Sequence, residues 1–378
     1  MKKGWEIKRL PEIAEYFIGL TYSPKDIGSE GTIVLRSSNV QNDALDLSDL
    51  VRVTCSVKKP LHVRKGDILM CSRNGSKRLV GKTAVIGDLP EEMTFGTFMT
   101  VIRSELNPYL SWFFRSEAFR DQIGVGENTM INQITKYMLD VIRVPVPPLA
   151  EQQRIVGLLD EAFEGLATAK ANAEKNPQNA RALFESHLQS VFTQRGPGWV
   201  ETTLEDCCEQ IFAGGDVPKD RLSQERTAEF SVPIYSNGEK NDGLYGFTDV
   251  ARVTKPSITV SARGTLGFTA IRTEPFLPVV RLIVLVPNET KIALSFLYYA
   301  VVGMDFGNTG TSIPQLTVPN FKESKLHVPS IPEQEAIVEK LDALSAETQR
   351  LARLYEQKLA ALEALKKSLL HQAFAGEL

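Results

Sequence analysis

The sequence is poor in the residues that build metal sites and disulfide scaffolds. It has four cysteines, Cys55, Cys71, Cys207 and Cys208, none in a C-x-x-C spacing. Adjacent Cys207 and Cys208 make a poor disulfide pair. Neither a zinc ribbon nor a stapled scaffold is therefore expected, and the thiols suit a reducing cytosol. The four histidines, His62, His187, His327 and His371, are scattered, with no second ligand at metal spacing. No run of 18 apolar residues occurs, so no membrane-spanning helix is expected. Met1–Leu10 lacks the apolar core of a signal peptide. The net charge is only −3, from 43 basic and 46 acidic side chains, whereas many nucleic-acid binders are basic overall.

Catalytic signatures are also missing. Gly75-Ser-Lys-Arg-Leu-Val-Gly81-Lys82-Thr83 imitates a phosphate-binding loop, but five residues separate its glycines where four are required. The segment after it reads as a strand and a turn, not as the helix whose N–H groups would face a phosphate. No G-x-S-x-G elbow is present. Phe212-Ala-Gly-Gly and Val146-Pro-Pro-Leu are poor versions of methyltransferase motifs. Glu6-x-Lys8 and Glu323-x-Lys325 are chance-level triplets rather than a nuclease cluster. A binding protein is expected over an enzyme.

What is present is a chain of 378 residues, 43% hydrophobic, with 18 Phe. That is enough for two or three globular domains. Charge is unevenly spread. Between Lys58 and Lys82, eight basic residues stand against Asp67 alone, a block suited to phosphates or to a solvated loop.

The chain repeats itself. Shifted by 182 positions, residues 127–194 lie on 309–376 without a gap, and 18 of the 68 positions are identical. They include Thr129/Thr311, Gln133/Gln315, Glu151/Glu333, Gln152/Gln334, Asp160/Asp342 and Phe192/Phe374. Upstream, Trp5 matches Trp199, and Ser72-Arg73-Asn74-Gly75 matches Ser261-Ala262-Arg263-Gly264. A unit this long is a duplicated domain, not a solenoid repeat.

Asp67–Ser72, Ser257–Ser261 and Val279–Val286 read as strands, and Pro108–Gln122 and Ala293–Val302 as helices packed on them. Ser330-x-x-Glu333 forms a capping box before a helix of about 40 residues, ~60 Å long. Its narrow leucine stripe suits a helix–helix seam. The first copy begins alike, with a kink or break expected at Asn176-Pro177.

The helix entries PPLAEQQRIVGLLDEAF and PSIPEQEAIVEKLDALS, the segment Lys65-Gly-Asp-Ile-Leu-Met-Cys-Ser-Arg-Asn-Gly75 followed by Val80-Gly81-Lys82, and the ending Leu369–Leu378 together resemble the DNA-specificity subunit of type I restriction–modification enzymes. Gly19-Leu-Thr-Tyr-Ser-Pro24 and Gly214-Gly-Asp-Val-Pro218 look like that family's Gly-x-Thr-Pro-type motif, the first with an insertion and the second with Asp-Val in place of Thr. The resemblance spans the whole chain.

It implies an α+β architecture. Two mixed, strand-rich target recognition domains, 1–147 and 198–330, alternate with a helical spacer, 148–197, and a C-terminal helix, 331–378. The helices would pair as an antiparallel coiled coil with pseudo-twofold symmetry. It also implies a non-catalytic DNA reader, each domain taking one half of a bipartite, asymmetric site. Partner methyltransferase subunits would carry AdoMet chemistry, with ATP and Mg used by restriction subunits. This chain itself would bind no cofactor and would work in the cytoplasm.

For base contacts the expected residues are Ser72, Arg73, Asn74, Ser76, Lys77 and Arg78, with Ser261, Arg263 and Thr265 in the second copy. Lys58, Lys59 and Lys82 suit phosphates. Gln133 and Gln315 are further DNA contacts. Glu151, Gln152, Glu333 and Gln334 either dock the partner or cap the helix N-termini. A coiled-coil scaffold without DNA recognition, or a degenerate NTPase, are the competing readings.

Overall fold

The computed structural model describes residues 4–124, 132–194, 196–304, 306 and 316–378. They divide into two compact units, residues 1–173 with 356–378, and residues 174–355.

In the first unit, a four-stranded antiparallel sheet runs in the order Glu15–Ile18, Met99–Arg103, Ile68–Cys71, Thr83–Val85. The Ile68–Cys71 strand is buried on both faces, as its unbroken apolar run requires. Ile68 and Met70 face Tyr109, Phe113 and Phe119 of the helices Asn107–Phe113 and Glu117–Gln122. Leu69 and Cys71, one step on in the pleat, face Ile33, Phe95 and Val101. The second sheet holds Met93–Phe95, Thr32–Leu35, Val51–Val53 and Ile27–Gly28. A ribbon of Glu6–Arg9 with Arg143–Val146 closes the domain.

The second unit repeats this topology. Its main sheet runs Cys208–Ala213, Ile283–Pro287, Ser257–Val260, Thr269–Arg272. The helix Leu294–Val302 covers it through Phe296 and Leu297. Val200–Thr203 pairs with Lys325–Val328 as the closing ribbon. The same strand order in the two main sheets supports duplication beyond the helical segments, while the second sheet has four strands in the first unit and three in the second. The strand expected from Val279 begins only at Ile283, because Val280 and Arg281 turn the chain with left-handed φ of 54° and 61°.

The central helix, Leu149–Thr193, and the C-terminal helix, Ile331–Ala375, each have 45 residues. In the first unit, Ile155 and Leu159 cluster with Leu370, Ala373 and Phe374, and Lys170 pairs with Glu363 at 3.3 Å. In the second, Asn176 donates to the Tyr355 hydroxyl at 2.8 Å, and Leu188 packs with Leu341. Within each unit, later positions on one helix meet earlier positions on the other, so the pairing is antiparallel.

The break expected at Asn176-Pro177 does not occur, and the helix continues through Pro177. Pro177 forfeits its bond to the carbonyl four residues back. The bond between Asn176 and Tyr355 ties the adjacent residue to the neighbouring helix.

Candidate nucleic-acid interface

The strand register aligns the two domains more finely than the sequence does. Met70 pairs with Thr100 and Thr83 in the first unit, and Val260 pairs with Ile283 and Thr269 in the second. Met70 is therefore level with Val260, and Arg73, three residues on, is level with Arg263. The loops also return alike. Gly81 donates to the Cys71 carbonyl and Gly267 to that of Ser261, with φ of +83° and +80°. The sequence match of Arg73 with Ala262 is thus corrected by one position, because hydrogen-bond register outranks a four-residue similarity.

A second loop lies beside each arginine loop. Gly96–Met99 is closed by Met99 N donating to Gly96 O at 2.8 Å, and Val279–Leu282 by Leu282 N donating to Val279 O at 3.0 Å. This places Phe98 and Arg281 at equivalent positions. The two glycine motifs cross behind these turns, where Leu20 bridges Gly96 and Gly215 bridges Val279. A β-carbon on Gly19 would come within 2.1 Å of the Gly96 oxygen, and one on Gly214 within 2.6 Å of the Pro278 carbonyl carbon. Only glycine permits that approach.

In the first unit, the exposed Arg73 guanidinium lies 5.2 Å from the centre of the Phe98 ring. The Arg73 backbone bridges Gln133, and Phe98 is 52% exposed. Arg73, Phe98, Gln133, Tyr16, Thr135 and Lys136 line a cleft of about 350 Å³. The Lys136 ammonium sits 5.2 Å over the Tyr16 ring. Among the described residues, Lys77 and Arg78, on the adjoining turn, make no ion pair. A guanidinium fork beside an amide suits base edges, an aromatic face adds stacking, and loose cations suit phosphates.

Other expected contacts have structural occupations. Ser72 is buried with its hydroxyl on Thr100 at 2.5 Å, and Ser261 is fully buried, accepting from Gly238 N at 3.0 Å. The Lys82 ammonium donates to the carbonyls of Ser37 and Val40, both at 2.6 Å. These three side chains are consumed inside the fold. Asn74 shapes its own loop, accepting from Ser76 N at 3.0 Å and donating to the Ser37 hydroxyl at 3.2 Å. Ser76, Lys58 and Lys59 are exposed, the lysines at the separate turn Lys59–Leu61. Arg263 and Thr265 are exposed on the second domain's loop. Gln315, with Thr129 and Thr311, lies outside the described residues.

Among the docking candidates, Gln152 is buried and donates to Pro147 O at 2.8 Å. Gln334 is fully buried, donates to Pro329 O and Lys291 O, and accepts from Ala293 N. Both glutamines fasten a helix entry to its own domain and present no side chain outward. Glu151 pairs with Arg154 at 2.7 Å. The Glu333 carboxylate accepts from the Trp199 indole at 3.0 Å. Sequence reasoning missed Phe98, Lys136 and Arg281. Only Lys136, three residues after Gln133 beside the repeated Thr135, carried any signal.

Among the described residues, no helix is long and apolar enough to cross a membrane, and no group of three or more His, Cys, Asp or Glu is placed to hold a metal ion. Two copies of one strand-rich fold, each presenting an arginine loop at the same register, define a recognition protein. A family model for the type I restriction modification DNA specificity domain matches residues 2–175 and 197–363. The chain belongs to that family, whose part in a type I restriction–modification system is sequence-specific DNA recognition rather than catalysis.

Relatives agree. The type I specificity subunits S.MpnORF507P and S.MpnORF89P of Mycoplasma pneumoniae are 31% and 32% identical over 56% and 65% of this chain. The EcoKI specificity subunit of Escherichia coli is 32% identical over 50% of it. The matches span 58%, 75% and 42% of those proteins' own lengths. Two solved structures share the fold at 19% identity. A chain from the type I R-M system has a TM-score of 0.81, covering 100% of this chain and 99% of its own. The HsdS subunit from Thermoanaerobacter tengcongensis has a TM-score of 0.68, covering 100% and 98%.

Proposed function

We propose that this chain selects the DNA target of a type I restriction–modification complex, each strand-rich domain reading one half of a bipartite, asymmetric site in double-stranded DNA. The observation that carries this is the equivalent placing of Arg73 and Arg263 on two like scaffolds whose neighbouring residues differ. Like scaffolds dock alike on a duplex, and unlike side chains read unlike bases. Two methyltransferase subunits would dock on the duplicated helices, a twofold repeat suiting two copies of one partner. Glu151 and Glu333, on the first turns of those helices, are the docking candidates that remain. AdoMet chemistry belongs to those partners, and ATP and Mg to restriction subunits. Acting on DNA beside those partners, the chain would work in the cytoplasm.

The test is a map of adenine methylation in cells expressing the partner methyltransferase with and without this chain. A two-part motif with a fixed gap, present only with the chain, is expected. Methylation unchanged by its removal would favour a scaffold without DNA recognition.

A further inference from the structure

We propose that Arg281, on the turn Val279–Leu282, is a base-reading residue of the second domain, acting beside Arg263 and directed at guanine in the half-site that domain reads. This deepens the proposed function and rests on it. Arg281 occupies the position that Phe98 holds in the first domain, where Phe98 and Arg73 stack at 5.2 Å beside the cleft. The second domain thus keeps the geometry of the reader but exchanges its aromatic face for a second guanidinium.

The turn is built to hold that side chain outward. Val280 and Arg281 both adopt left-handed φ, 54° and 61°, and both are exposed. A β-branched residue there is a true outlier, kept only where its surroundings over-determine it. They do so here. Val280 N donates to Gly215 O at 2.8 Å, Arg281 N donates to Gly214 O at 3.2 Å, and Asn237 Nδ2 donates to Val280 O at 2.5 Å. Asn237 Oδ1 also accepts from Ala262 N at 2.8 Å, one residue before Arg263. A single amide therefore links the Arg281 turn to the Arg263 loop. The Arg281 guanidinium has no hydrogen bond or ion pair among the described residues, so its donors are available for the O6 and N7 acceptors of guanine. Asn237 is a positioning residue for both arginines.

The experiment uses the full chain coexpressed with its methyltransferase, reading motif logos by methylation mapping. Arg281→Ala should lose discrimination at one guanine of one half-site by about tenfold or more, leaving the other half-site intact. Arg281→Lys should retain binding but lose much of that preference, because lysine lacks the fork. Phe98→Ala should alter only the opposite half-site. Uniform weakening with an unchanged motif, in a variant whose unfolding midpoint equals wild type, would make Arg281 a phosphate contact and overturn the proposal. An unchanged motif at unchanged affinity would overturn it as well. Failure of the underlying reading looks different, since the wild-type chain would then direct no motif at all.

Discussion

Tyr299 donates its phenolic hydrogen to Asp342 Oδ1 at 2.6 Å, and Trp112 donates its indole hydrogen to Asp160 Oδ1 at 3.0 Å. Asp160 and Asp342 are the same position of the repeat, 182 residues apart. Each carboxylate therefore clamps a helix of the strand-rich domain onto one long helix, with a different aromatic donor in each copy. Gln152 and Gln334, a second repeated pair, likewise fasten each helix entry to its own domain.

The clamp makes stability sensitive to alkali. Burial, then the bond to Asp342, raises the Tyr299 pKa. A tyrosine raised in the folded state contributes stability that is complete below its unfolded pKa of about 10 and is lost as pH rises through the folded value. Tyr299→Phe should cost about 1–2 kcal/mol at pH 7 and lessen the alkaline fall. Urea unfolding at pH 7 and pH 11 measures both. An equal fall in wild type and variant would show that another group governs it.

The two buried glutamines should differ in cost. Gln334 makes three hydrogen bonds and Gln152 has one identified. Gln334→Ala is expected to destabilise by about 3 kcal/mol and Gln152→Ala by about 1 kcal/mol. Denaturant midpoints for the two variants give the comparison.

Lys82 and Lys77 should separate stability from DNA charge. Lys82→Ala removes two bonds to carbonyls and should cost about 1–3 kcal/mol while leaving the salt slope of DNA affinity unchanged. Lys77→Ala should leave stability within about 0.5 kcal/mol and reduce the salt slope by about one. A titration series in rising salt distinguishes them.

Arg73→Ala should relax one half-site by about 1–3 kcal/mol per affected base pair and leave the other half as in wild type. Equal weakening of both would mark Arg73 as a phosphate contact. The reading is taken from competition binding against single-base variants of the target.

Thiol chemistry offers a check on the cores. Burial raises the Cys71 and Cys207 thiols and pushes Cys208 up to about 12. All three should resist alkylation at pH 8 in the folded protein and react in urea, because the thiolate is the reactive form. Cys208 is only half-buried, so rapid labelling of it in the native state, seen by mass spectrometry, would show that its thiol is not held protonated.

The duplication, the two long helices, the strand-rich domains and the absence of a metal-ligand spacing were determined by the sequence itself. Those features rest on local periodicity and on residue identity at fixed spacing. The exposed Arg73 and the repeated Gln133 were legible for the same reason. The tertiary structure alone decided that Ser72, Ser261, Lys82, Gln152 and Gln334 turn inward and that Arg281 stands where Phe98 does. It also decided that a proline inside the central helix does not end it. Which polar atoms find partners inside depends on strands and carbonyls tens of residues away. Long-range register, not local pattern, sets those distances.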